Sequence, residues 1–503
     1  MSDPPSSSFA QPESPPLETP FDPSRPTFLS HLSSIYAHND SPPFTAVFTH
    51  SIPGPAHGVR SDCYWYPPSM PFHDDTLSDG GVNSEDSTEW NSVLRGDVAG
   101  GALHFTAGFE PAAGTVDPGN SRDAGEPYTH SPSGGGQSSM RPRLQLVIDP
   151  ERSPSRIAVP SSVRPTPEVT ILIFVPGNPG LVQFYLPFLD AIRTRVPEIG
   201  ILAKSHLGHS PRLNNKEEPC GAGDISVSAA GLEVQVDSVI EVVDRVYEEY
   251  ESILRSSEEG AKLNIVLMGH SVGTWIITEV LKARPDVIDG SFLLFPALCD
   301  LALTPNGRRL KLLFTPISAY IFAALAFVLF SVILPPKITI SLIKILFSQW
   351  PQHQQFVLRS LLRSPRAVFS SLKLARDEMR IIRALAGAGI SSGEGVEERA
   401  SKAAIGIQTT RDVLRVHAKR IWVYYAFEGD GWVDERERLE TFRALREGGG
   451  AANYERLKAS SGEGIGEVVF GDDVPHDFCI NHEQVVADQC VTWLVRGGFA
   501  SHH

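Results

Sequence analysis

The stretch that most constrains this chain is residues 263–283, LNIVLMGHSVGTWIITEVLKA. Leu263–Met268 is an apolar run of strand length, Gly269–Gly273 is a tight Gly-x-Ser-x-Gly turn, and Gly273–Ala283 has the helical period. A strand buried on both faces that turns at once into a helix belongs in a parallel sheet with helices on both sides. Other segments repeat the alternation. Val169–Val175 (VTILIFV) is almost continuously apolar and ends in the loop Pro176-Gly177-Asn178-Pro179-Gly180. Phe184–Thr194 reads as helix, Ile199–Lys204 and Gly290–Phe295 as strands, and Leu144–Ile148 as an edge or half-buried strand. Ala230–Leu254 sets Leu232, Val236, Val239, Val243 and Val246 on one helical face. The pattern breaks over 301–400, which is rich in apolar residues and helix formers. It resumes with Arg420–Phe427 (strand), Glu435–Glu447 (helix), Glu467–Phe470 (strand) and His482–Val495 (helix). The chain thus predicts one α/β core in two segments, 141–300 and 401–499, divided by a helical insertion.

Residues 1–140 differ in kind. They are dominated by Pro, Ser, Gly and Asp, and hold 17 acidic residues against four arginines and no lysine. Most of the net charge of −15 sits there, which argues against a nucleic-acid partner. So little apolar surface predicts a largely disordered extension, with two alternating islands, Phe44–Ile52 and Leu103–Phe109, as candidate strands at the domain edge. The five cysteines (63, 220, 299, 479 and 490) are scattered, with no C-x-x-C spacing for a metal or redox site. Reduced intracellular thiols are expected, with no metal and no cofactor. The N-terminus lacks the basic and apolar regions of a secretory signal.

The Gly-x-Ser-x-Gly turn between a strand and a helix is the nucleophile elbow of the α/β-hydrolase fold, with Ser271 as nucleophile. Its base and acid should follow in the order Ser, Asp or Glu, His. His476 lies just past the strand Glu467–Phe470 and before the last helix, where that fold places its histidine; His482 is the rival, at the helix start. Asp430, glycine-flanked on the loop after Arg420–Phe427, is the first candidate acid. Asp434 reads better as the N-cap of the helix from Glu435, and Glu428 is a third option. The developing oxyanion needs two N–H donors. Val272, after the nucleophile, supplies one, and Asn178 in the loop after Val169–Val175 is the candidate for the other.

Between Ser271 and its partners lies FTPISAYIFAALAFVLFSVILPP, Phe314–Pro336, uncharged and flanked by Lys311 and Lys337. It is long enough to span a bilayer. A single crossing would leave Ser271 on one side and Asp430 with His476 on the other, and Ile338–Phe347 is too short for a return span. The segment 314–347 is therefore expected to enter one leaflet as a re-entrant hairpin, to lie in the interface, or to fold over the active site as an apolar lid.

Several ordered motifs carry a family resemblance. They are Pro176–Gly180 with Phe184-Tyr185-x-Pro187-Phe188, Ser205-His206-Leu207-Gly208-His209, Gly269–Gly273 and Leu293-Leu294-Phe295-Pro296. Thr304-Pro305-Asn306-Gly307-Arg308, Tyr424-Tyr425 leading to Asp430, and Pro475-His476 continue the series. Over roughly 169–499 the chain resembles the lipid droplet-associated hydrolase family. The resemblance implies an α/β-hydrolase at lipid droplets and the endoplasmic reticulum, acting on a lipid ester, with Ser271, Asp430 and His476 as triad. It does not reach residues 1–140, and the Gly-rich insert around 448–466 lengthens the connection from acid to histidine. The leading expectation is hydrolysis of a lipid carboxylic ester, a sterol ester or acylglycerol. Acyl transfer on the same fold and a non-enzymatic droplet-organising protein are the alternatives.

Overall fold

Consecutive side chains of a strand point to opposite faces, so a strand sandwiched between two helical layers needs an apolar residue at every position. Strand β4 (Glu168–Val175) meets that demand from Ile171 onward: Val169, Ile171, Ile173 and Val175 pack into one core, Leu172 and Phe174 into another. Central strand β6 (Lys262–His270) divides likewise, with Ile265 and Leu267 on one face and Val266 and Met268 on the other. The computed structural model describes residues 27–31, 42–51, 56–69, 168–213, 231–256, 262–383, 385, 409–449 and 468–501. All belong to one compact unit, residues 1–71 and 165–503; the other unit, 72–164, holds none of them. The expected strands Leu103–Phe109 and Leu144–Ile148 lie outside the described residues, as does Cys220.

Among the described residues the sheet has nine strands in the order β1-β2-β3-β5-β4-β6-β7-β8-β9. The remaining strands are β1 (Ser30–His31), β2 (Phe44–Thr49), β3 (Arg60–Tyr66), β5 (Gly200–Lys204), β7 (Gly290–Leu294), β8 (Ile421–Ala426) and β9 (Val468–Gly471). From β5 through β9 the pairing is parallel, as the alternating strands and helices require. Helix α1 (Leu186–Arg195) follows β4, α2 (Leu232–Ser256) leads to β6, and α3 (Val272–Ala283) leaves the elbow. The parallel sheet and the strand–Ser–helix turn together give the α/β-hydrolase fold read from the sequence. The chain runs from β4 to β5 on one side and then to β6 on the other. Such a switch opens a crevice at the carboxyl ends of β4 and β6, where ligands bind in open α/β sheets.

Three strands, β1 to β3, come from the segment that the composition assigned to an acidic extension. They join antiparallel to one another and, through β3, antiparallel to β5. The island at 44–52 marked β2, but nothing local marked β3, RSDCYWY, because it carries a charge at a buried position. Only distant residues satisfy Asp62: Gln183 Nε2 at 2.8 Å, Ser210 Oγ at 3.0 Å and the guanidinium of Arg212. Buried His50, just past β2, likewise pairs with Glu241 of α2 at 2.7 Å. Cys63, Cys299, Cys479 and Cys490 are free and buried.

The insertion is helical throughout its described part. It comprises α4 (Ser318–Ala326), a π-helical stretch (Phe327–Ile333), α5 (Pro336–Leu346), α6 (Gln352–Leu362) and α7 (Pro365–Ile381). The apolar segment is thus broken at Leu334 and the two prolines. Among the described residues no helix is long and apolar enough to cross a membrane. The second core segment adds α8 (Thr410–Val416), α9 (Glu435–Glu447) and α10 (Glu483–Arg496).

Candidate active site

Ser271 sits at the turn between β6 and α3 with φ 52° and ψ −122°. That left-handed strain in a non-glycine residue is what a nucleophile elbow stores. The flanking glycines are steric necessities. A Cβ on Gly269 would run into the Gly273 backbone, and one on Gly273 into the Val175 and Pro176 carbonyls. Gly177 belongs to the same packing, since its Cβ would meet His270 and the Ser271 side chain. The loop after β4 therefore lies directly against the elbow, although 94 residues separate Gly177 from Ser271 in the chain.

The structure brings the expected residues together. His476 Nε2 lies 3.0 Å from Ser271 Oγ, and His476 Nδ1 lies 3.0 Å from Asp430 Oδ2. The other Asp430 oxygen accepts the backbone N–H groups of Trp432 (2.8 Å) and Val433 (3.2 Å). Burial alone would raise the Asp430 pKa. The neighbouring His476 and these hydrogen bonds outweigh it and hold the carboxyl below its usual range. Neither rival acid makes this contact. Asp434 caps α9 by accepting the Glu437 N–H at 2.9 Å, and Glu428 is exposed. His482 stands at the start of α10, as expected.

The motif Thr304–Arg308 acts at a distance on the same loop. Thr304 Oγ1 accepts the Gly307 N–H and starts a short helical turn, whose Asn306 N–H donates to the Gly431 carbonyl at 2.9 Å. The first turn of the insertion thereby braces the Asp430 loop.

A buried relay joins both loops to the histidine, and composition gave no sign of it. His270 Nε2 lies 2.9 Å from the His476 carbonyl, which can only accept, so Nε2 carries the proton. Its Nδ1, 2.7 Å from Tyr185 Oη, then accepts the Tyr185 hydroxyl proton. Tyr185 Oη in turn accepts the Gly177 N–H at 3.1 Å. Burial, together with nearby His476, lowers the His270 pKa to about 3, which keeps this ring neutral. The variable position of the Gly-x-Ser-x-Gly pentad thus holds the backbone of His476.

Val272 is the first residue of α3, where the leading N–H groups have no carbonyl partner inside the helix. Asn178 lies in the apposed loop, but its side chain is engaged by the insertion. Nδ2 donates to the Ser371 carbonyl (3.0 Å) and to Glu378 Oε1 (2.8 Å), both on α7. Only its backbone N–H is then left for a substrate oxygen. Glu378 is a site residue the sequence did not single out, since a lone acid on an amphipathic helix looks like any solvated one. It is 6% exposed, and burial pushes its pKa up to about 7 despite the Asn178 hydrogen bond.

Ser271, His476, Asn178 and Glu378 line a cavity of about 460 Å³. Its walls are mainly apolar. Leu301, Leu313, Phe314, Trp350 and Leu361 come from the insertion, and Trp432 from the second core segment. That is room for a mainly apolar ligand with a few polar anchors at one point. The insertion is also held to the core at α6, where Gln354 Nε2 donates to the carbonyls of Phe184 (2.9 Å) and Cys479 (2.8 Å). Among the described residues no group of His, Cys, Asp and Glu is placed to hold a metal ion.

Comparison with known proteins follows the same boundaries. A lipid droplet-associated hydrolase of Drosophila melanogaster is 26% identical over 225 residues, 43% of this chain and 67% of that protein. The human lipid droplet-associated hydrolase is 31% identical over 149 residues, 27% of this chain and 41% of that protein. The chain thus matches less than half the length of the human relative. Among solved structures, a haloalkane dehalogenase from Bradyrhizobium elkani aligns over 67% of this chain and 93% of its own, at 12% identity and a TM-score of 0.40. A family model described as lipid-droplet associated hydrolase matches residues 168–479, from the first residue of β4 to just beyond His476, and the chain belongs to that family.

Proposed function

We propose that this protein hydrolyses a lipid carboxylic ester, a sterol ester or an acylglycerol, through an acyl-enzyme on Ser271, at the surface of a lipid droplet. The observation that carries the reading is the unbroken pair of 3.0 Å contacts from Asp430 through His476 to Ser271, at the edge of an apolar cavity. His476 Nε2 takes the Ser271 proton as Oγ attacks the ester carbonyl. The backbone N–H groups of Val272 and Asn178 receive the oxyanion. Collapse of the tetrahedral intermediate breaks the ester C–O bond, and the imidazolium returns its proton to the departing alcohol. Water then attacks the acyl-enzyme, with His476 as base, and releases the acid and free Ser271. Asp430 keeps Nδ1 protonated and the ring in place.

The lipid surface enters through the outer side of the insertion. Leu312 is 83% exposed, Ile345 74%, and Ile317, Val332 and Leu346 66% each, so one short segment concentrates the exposed apolar side chains of the described residues. A patch of this kind is unfavourable in water and suits a lipid monolayer. The names of the relatives support the same location. A role in lipid storage follows from that site and that substrate.

The test is labelling with a fluorophosphonate probe beside hydrolysis of emulsified triolein, cholesteryl oleate and a short soluble ester. Wild type is expected to label and to cleave at least one of them. Ser271→Ala is expected to do neither, with a loss on the order of 10⁴-fold or more. Equal labelling of the two proteins would sink the proposal. Adding an acceptor alcohol separates hydrolysis from acyl transfer by the product formed.

A further inference from the structure

Helix α6 separates two cavities of opposite character. Leu358 and Leu361 face the apolar one that Ser271 lines. Phe356, Arg359 and Ser360 of the same helix line a second, of about 640 Å³, on its other side. Arg212, Arg363 and Arg366 complete that wall, so four guanidinium groups line the space, and among the described residues no Asp or Glu lines it. Arg212 is held by buried Asp62. The Nε of Arg359 is buried without a hydrogen-bond partner among the described residues. Helix α7, 17 residues long, also begins here: its N-cap Ser364 lines the cavity, and its first turn contains no acidic residue. The positive end of its dipole therefore adds to the charge of Arg359 and Arg363.

Clustered guanidinium groups favour an anion, and their planar forks match the oxygens of phosphate. The cavity also borders the apolar surface. Ser331 of the π-helical stretch lines it, while the next residues, Val332 and Ile333, are 66% and 60% exposed. Phe356, on the cavity wall, is 44% exposed. A cationic hollow beside an apolar rim has the polarity of a phospholipid, head and tail.

We propose that this cavity binds the phosphate headgroup of an anionic phospholipid, while the exposed flank of the insertion meets the acyl region. The proposal rests on the surface reading given above.

The experiment uses the full-length chain and phosphatidylcholine vesicles with and without about 20 mol% phosphatidic acid. Wild type is expected to bind the anionic vesicles at least about tenfold more tightly. Arg359→Gln with Arg363→Gln should lose about thirtyfold on the anionic vesicles, the effect of two arginines leaving a charged surface, and keep its binding to neutral ones. Melting temperature and hydrolysis of a soluble ester, both expected to match wild type, report that the variant is folded. If the double variant melts early, Arg363→Gln alone gives the same comparison with a loss of about fivefold. A variant that keeps the full preference for phosphatidic acid, or a wild type that shows none, overturns the proposal. Inorganic phosphate is the third arm. If it stabilises wild type but not the variant while vesicles show no preference, the cavity takes free phosphate and the phospholipid is excluded. Wild type that ignores both kinds of vesicle fails the surface reading and this proposal together, whereas ester hydrolysis in the same preparation reports on the catalytic reading separately.

Discussion

The central sheet and the insertion are both rich in large apolar residues, yet they dispose of them in opposite ways. In β4 every residue from Ile171 to Phe174 is at most 1% exposed, sealed by helices of the same chain. In the insertion Leu312, Ile317, Val332 and Ile345 are left more than half exposed, while Leu313, Phe314, Trp350 and Leu361 turn inward to the cavity beside Ser271. The sheet completes its burial within the molecule. The insertion completes half, and its outer half leaves apolar side chains uncovered by the described residues. The expected lid fits the inner face of this element, and the surface segment proposed above fits its outer face.

Substitutions should separate the two regions. Leu172→Ala is expected to cost about 2–5 kcal/mol of stability, because it opens a cavity in a sealed core. Chemical denaturation measures this, and a loss below about 1 kcal/mol would mean that the sheet is packed no better than the insertion. Ile317→Ser with Ile345→Ser should change stability by less than about 0.5 kcal/mol yet strongly reduce binding to emulsified triolein. A large loss of stability would show instead that these side chains are buried in solution. Between the regions lies the relay from Gly177 through Tyr185 to His270. Tyr185→Phe leaves the Gly177 N–H and His270 Nδ1 without their buried partner, and should lower turnover of a soluble ester about tenfold. Unchanged turnover would reduce the relay to packing.

The smallest effect is a pH dependence at the seam between insertion and core. The pKa of Glu378 rises from 4.5 to about 7 in the folded state, so the folded protein holds this proton more tightly than the unfolded chain. Stability from this group is full below about pH 4.5 and is lost as pH rises through about 7. Glu378→Gln keeps an acceptor for Asn178 and removes the titration. Its stability relative to wild type should therefore rise across that window, as read from denaturation at a series of pH values. Parallel profiles for the two proteins would contradict the buried, titrating carboxyl.

What was legible in the sequence was legible for local reasons. An apolar run of strand length, a glycine pair around a serine and a helical period are each written in a few consecutive residues, so β4, β6, α3 and α9 appear where they were expected. Elements satisfied by distant partners were not legible. Strand β3 hides because its Asp62 depends on Gln183, Ser210 and Arg212, and the relay hides because Tyr185 and His270 meet only after two strands align. The arginine cavity is assembled from Arg212 and from residues about 150 positions later, which no window along the chain brings together.

By itself the sequence determined the α/β-hydrolase core, the elbow at Ser271 and the order of its partners, because chain order and local period control strand–turn–helix geometry. The sequence ranked Asp430 first as the acid and read Asp434 as a helix cap, and the tertiary structure places Asp430 beside His476 and Asp434 on that cap. The two carboxylates are four residues apart, and the fold turns one toward an imidazole and the other toward a helix cap. It also decided which apolar side chains of the insertion face the cavity and which face outward. Both outcomes depend on contacts between segments far apart in the chain, and such contacts leave no periodic trace in either segment alone.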